Sequence, residues 1–131
     1  MKEFDLKYFS EKSWAFVLIK NDLVLYRSKK QRLLPLLFCL KKYKIQMRRA
    51  TIFDKVVGRA AALLLIYGGV KKVLTPTVSQ GALIVLRRGG AKIEYGKIVK
   101  NILNRAGDDF CPMEKLSQGK NANDFAKIMK A

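Results

Sequence analysis

Residues 51–69, T-I-F-D-K-V-V-G-R-A-A-A-L-L-L-I-Y-G-G, constrain the fold more than any other stretch. From Ala60 to Tyr67 every position is apolar, so a helix here must be buried on all sides. The apolar run Ala60 to Val70 is too short to span a bilayer, so protein must do the burying. Thr51 reads as a helix cap and Asp54, three residues on, as its capping-box partner. Gly68 and Gly69 read as the stop. The pattern predicts a helix from about 52 to 67. Asp54, Lys55, Gly58 and Arg59 form a polar stripe on its first half. Free N–H groups at such an end favour an anionic ligand. The same stripe also reads as a solvated first turn with its cap.

The rest of the chain alternates around this helix. Residues 3–11, with Phe4 and Tyr8, suit a short amphipathic helix. Residues 14–19, W-A-F-V-L-I, and 23–27, L-V-L-Y-R, flank Asn21-Asp22 and predict a hairpin. Residues 31–43 suit a helix with Pro35 in its first turn or at a kink. Residues 44–50 read as a basic connection. A strand over 71–75 should stop at Pro76. A helix over 79–88, a strand over 91–95 and a short helix over 97–104 follow. A last helix is expected over 123–130. Helix, strand, helix and strand with tight connections form a parallel βαβ pattern. With the hairpin, the expected fold is an α/β three-layer α/β/α sandwich around a mixed sheet. It is expected as a single domain over 1–131 with a core of about 14–118.

Charge is the strongest compositional signal. There are 27 Lys and Arg against 10 Asp and Glu, a net charge of +17. Such a surplus suits a polyanion, with weak nonspecific nucleic-acid binding as the expectation. A general lysine bias explains it equally well, because the bases are spread along the chain, with clusters at Lys29 to Arg32, Lys41 to Arg49 and Arg87-Arg88. No zinc-finger or aromatic RNA-binding signature is present. Two cysteines and no histidine argue against a disulfide framework and suit a reducing, cytoplasmic setting. No signal peptide and no membrane span are read.

Three short motifs could carry chemistry. In Cys111-Pro112-Met113-Glu114, Pro and Glu make a good helix start. Cys111 is then only the residue before a helix, or a thiol made more nucleophilic by that position. With no histidine, a papain-like arrangement lacks its base. Thr75 to Gln80 leaves the carboxyl end of a strand, the usual ligand side of an open α/β sheet; Thr77 or Ser79 could equally be a cap. Asp108 and Asp109 could hold a cation or form a solvated turn.

These residues carry a resemblance. D-K-V-V-G-R-A-A-A-L-L-L at 54–65, G-G-V at 68–70, I-L-N-R at 102–105 and C-P-M-E-K at 111–115 resemble a small uncharacterised prokaryotic family similar in fold to cytidine deaminases. The resemblance covers 14 to about 118 and implies a fold without an established activity. Zinc deaminases carry an H/C-x-E motif and a later P-C-x-x-C motif. Here Thr77 and Gln80 stand where the two cysteines would be, and Asp54 and Lys55 where H/C-x-E would begin. The ligands and the base are missing, so the resemblance implies no zinc, no other cofactor and no zinc-dependent deamination.

Two function classes follow, with a third behind them. The first is a protein that binds a small anionic or nucleotide-like ligand through Asp54, Lys55, Gly58, Arg59 and Thr77. The second is an enzyme of unrecorded chemistry using Cys111, Glu114 or Asp54. The third is a basic nucleic-acid-binding module. The first two need the C-P-M-E turn to fold back beside the start of the central helix, where Glu114 could pair with Lys55 and Asp54 with Arg105.

Overall fold

The computed structural model describes residues 5–30, 33–103, 107 and 111–131. Phe4, Arg32, Arg105, Asp108 and Asp109, which entered the expectations above, lie outside these residues. Strands β1 (Phe16–Lys20) and β2 (Leu23–Ser28) form the predicted antiparallel hairpin. Asn21 and Asp22 turn it with φ of 51° and 63°, which short polar side chains tolerate. β1 also pairs antiparallel with β3 (Thr51–Asp54). β3 and β4 (Val56–Val57) lie end to end, each parallel to β5 (Lys72–Ser79). β6 (Lys92–Val99) adds a parallel edge on the far side of β5.

Side chains alternate across this mixed sheet, as the pleat requires. Phe16, Leu18, Ile52 and Val73 enter one apolar cluster. It is covered by α2 (Leu34–Lys42), α4 (Arg59–Tyr67), α5 (Gln80–Arg88) and α7 (Ala122–Met129). Val17, Ile19, Phe53 and Leu74 face the other way and meet Phe9 of α1 (Leu6–Ser10). Helices therefore cover both faces, unequally. α4 is the buried axis of the thicker layer: Ala60 to Leu65 are all buried. Among the described residues, no helix is long and apolar enough to cross a membrane.

Three expectations are corrected. The central helix does not begin at Thr51. Thr51 to Asp54 is a strand between β1 and β5, and the helix starts at Arg59 after Gly58. The Thr-x-x-Asp spacing imitated a capping box. Pairing on two sides of a β-branched, aromatic segment outweighed it. Second, Pro76 does not stop β5. It lies where the β3–β4 line breaks at Lys55 and where the β5–β6 register skips from Thr75↔Tyr95 to Thr77↔Lys97. A missing N–H is tolerated at such an interruption. A Cβ on Gly96 would sit 2.7 Å from the Pro76 carbonyl oxygen, so glycine is what lets the strands close there. Third, Lys97 to Val99 continue β6 instead of opening a helix. The basic connection also holds one short helix, α3 (Lys44–Met47).

Candidate functional site

The helix end exposed by this correction has no cap of its own. Gly58 occupies the N-cap with extended backbone and no side chain to accept from the first N–H groups. The acceptor arrives from 55 residues away. Helix α6 (Pro112–Ser117) brings Glu114 against α4, and its Oε2 accepts from Arg59 N at 2.9 Å. Its Oε1 accepts from Ala60 N, also at 2.9 Å. A carboxylate there satisfies two orphan donors and complements the helix dipole. A Cβ at Gly58 would lie 2.5 Å from Glu114 Oε1 and 2.8 Å from Ile102 Cγ1. Glycine at 58 is therefore what admits the carboxylate.

Arg59 returns the contact. Its Nε donates to Ser117 O at 3.2 Å and its terminal nitrogen to Lys120 O at 2.9 Å. Each helix end thus holds the other: Glu114 closes the start of α4, and Arg59 closes the end of α6. Cys111 N donates to Ile102 O at 2.9 Å, tying the segment before α6 to the strand-side chain.

Beside this clasp is a cavity of about 340 Å³. Its walls are mostly apolar, from Ala15, Leu33, Ala61, Ile102 and Met113. Its polar lining is Asp54, Glu114, Cys111, Lys55 and Lys30. Asp54 is buried at the end of β3, while Lys55 and Lys30 are exposed at the rim. Burial pushes the Asp54 carboxyl well above the usual carboxylate range, and hydrogen bonds from the Val56 and Lys55 backbone pull it partly back. The neutral acid both donates and accepts hydrogen bonds. Cys111 is half-buried. Cys39 is fully buried in α2, and burial pushes its thiol up to about 12.

The expected residues thus divide. Asp54, Lys55, Gly58, Cys111 and Glu114 meet at one cavity. Arg59 is not among the residues lining the cavity, and its guanidinium donates to the Ser117 and Lys120 carbonyls at the end of α6. Thr77 lies in β5, outside the cavity lining, with its N–H directed to Thr75 Oγ1 at 3.3 Å. The expected Glu114–Lys55 ion pair is replaced, since both Glu114 oxygens face backbone N–H groups. For the same reason the start of α4 offers no free anion site. Ala15, Leu33 and Met113 were not anticipated; as ordinary apolar residues they carried no signal.

Zinc does not fit. Gln80 opens α5 behind the Ser79 cap, and Thr77 sits within a strand. Among the described residues, no group of three His, Cys, Asp or Glu side chains could hold a metal ion.

The sequence matches a family model described as "TM1506: Domain of unknown function (DUF1893)" over residues 5–130. The structure is similar to that of a DUF1893 family protein from Thermotoga maritima, with a TM-score of 0.84 at 23% identity. That similarity covers 95% of this chain and 84% of the other, and shows a shared fold. An Acinetobacter baumannii RibD structure aligns with a TM-score of 0.48 at 21% identity, covering 88% of this chain and 33% of that one. No functionally curated protein shows significant sequence similarity to the chain.

Proposed function

We propose that this chain, which belongs to the DUF1893 family of unknown function, binds a small nucleotide-like ligand in the cavity beside the start of α4. The observation that carries the reading is Asp54: a buried carboxyl, held toward its neutral form, lining a mostly apolar cavity. An apolar cavity with few placed polar groups is the usual form of a small-molecule site. A neutral acid that donates one hydrogen bond and accepts another matches the amide or amidine edge of a nucleobase. The volume suits a base or nucleoside rather than a dinucleotide. Lys55 and Lys30 at the rim supply charge for an attached phosphate. The two unpaired thiols support a reducing, cytoplasmic setting.

A second reading, an enzyme that uses Cys111, is favoured by one observation: the Cys111 thiol lines the same cavity as the neutral acid. One experiment addresses the first reading and prepares the second. Native protein treated with iodoacetamide should take up one adduct, on Cys111, because Cys39 is buried with its thiol held protonated. Nucleosides and nucleobases at millimolar concentration should slow that labelling about tenfold when the cavity is occupied. Peptide mass spectrometry reads both results. If none of the compounds slows the reaction, the ligand class is wrong.

A further inference from the structure

Opposite the cavity, the three parallel strands begin side by side. Thr51 pairs with Lys72, and Lys72 with Lys92. The residues just before them are laced together by backbone bonds. Arg49 N donates to Gly69 O at 2.7 Å, Lys71 N to Ala50 O at 2.9 Å, and Lys92 N to Lys71 O at 2.9 Å. Adjacent strands lie about 4.8 Å apart, so these cations are spaced by single strands along one edge. Two more features add charge at the same end. α5 finishes there on exposed Arg87 and Arg88. The β1–β2 hairpin brings Lys20, whose ammonium donates to the Arg48 carbonyl. Two described acids lie at this end: Asp22 in the hairpin turn, and Glu94 two residues along β6 from Lys92, where its carboxylate accepts from Leu6 N at 3.0 Å; the cations outnumber them. Like charges held this close repel, and a polyanion offsets that repulsion by displacing counterions.

An aromatic surface adjoins this edge. Tyr43 joins α2 to α3, one helical turn before Met47 and five residues before Arg48, with Met47 N donating to Tyr43 O at 2.8 Å. Phe38 is 44% exposed and stacks on Tyr26 at 5.1 Å. Lys42 lies over both rings, 5.6 Å from Phe38 and 5.8 Å from Tyr43. Cationic tracks beside exposed rings bind single strands, whose bases are free to stack. A duplex hides its bases, and a lipid headgroup has none. We propose that this end of the sheet binds single-stranded nucleic acid, with phosphates along the Arg49–Lys71–Lys92 edge and a base on Phe38 or Tyr43. It lies at the opposite end of β3 from Asp54, so it stands or falls independently of the cavity.

The test is fluorescence anisotropy of a labelled oligouridylate, titrated between about 50 and about 200 mM salt. Lys71→Glu/Lys92→Glu should weaken binding about tenfold and reduce the salt slope by about 1.4, the value for two phosphate contacts on a single strand. Lys71→Gln/Lys92→Gln should show the same change in slope without reversed charge. Lys97→Glu/Lys100→Glu alters net charge equally at the far end of β6 and should leave the slope unchanged. Phe38→Ala should weaken binding about tenfold at constant slope, and Tyr43→Ala should act in the same direction. Equal weakening by the two Glu pairs would overturn the proposal, since net charge alone would then explain binding. So would Phe38→Ala and Tyr43→Ala both without effect, or tighter binding to phosphatidylserine vesicles than to the oligonucleotide.

Discussion

Replacing Glu114 by alanine should lower stability by about 3 kcal/mol, or about 10 °C in melting temperature for a chain of this length. Two charge-assisted hydrogen bonds to Arg59 N and Ala60 N are lost, and both donors sit at a buried helix start. Glu114→Gln should cost about 2 kcal/mol, because one carbonyl oxygen remains to accept while the amide turns a donor toward a donor. Gly58→Ala should cost about 2 kcal/mol by a different route. Its φ of −95° suits any residue, so the penalty is contact alone: the added Cβ meets the Glu114 carboxylate and Ile102. The two changes must then be strongly non-additive. With Glu114 already truncated, Gly58→Ala should cost less than about 1 kcal/mol, leaving a coupling energy of about 1–2 kcal/mol. Denaturant melts of the four proteins measure it. Additive effects would mean that Gly58 is not there to admit Glu114.

The second large effect runs the other way. Asp54→Asn should stabilise the protein by about 1 kcal/mol at neutral pH, as replacements of strained functional groups often do. The sign follows from linkage. Burial raises the folded-state pKa of Asp54 above its unfolded value, so the folded form binds more protons between the two. Stability from this group is therefore undiminished below about pH 4, falls as pH rises through that interval, and levels off above the folded pKa. Asparagine keeps a carbonyl acceptor for the Val56 N–H without an ionisable proton, while the Lys55 N–H donates to Ala15 O at 2.9 Å. The difference between variant and wild type should be near zero at pH 4 and grow toward pH 7. A gap that is constant with pH would show that Asp54 does not titrate differently in the two states.

Much of the frame was legible in local sequence. Asn21-Asp22 between two apolar runs specified the hairpin, and Pro112 with Glu114 marked the start of α6. The failures share one cause. Thr51 to Asp54 satisfied a capping-box spacing, yet its partners are β1 and β5, one of them 21 residues further on at Lys72. Long-range pairing decided between two locally acceptable structures. The site followed the same rule. Asp54 and the C-P-M-E turn stood out as unusual segments, and they meet at one cavity. Which way Arg59 and Thr77 would face depended on α6 and β6, which their own neighbours do not encode. Gly58 opens a helix with no capping side chain, and Glu114 is an acid in an apolar setting. An orphan helix end and an orphan carboxylate are natural partners.

A nuclear magnetic resonance titration tests the cavity beside α4 most directly. Nitrogen-labelled protein would be titrated with nucleosides and free nucleobases, and the same series repeated on Asp54→Ala. At least one compound should shift amides of Asp54 to Ala61 and of Cys111 to Glu114 together, with saturation in the micromolar to millimolar range, and Asp54→Ala should weaken it by about tenfold or more. No shifts at millimolar concentration, shifts confined to other parts of the fold, or full binding by Asp54→Ala would contradict the assignment of this cavity and this carboxyl as the ligand site.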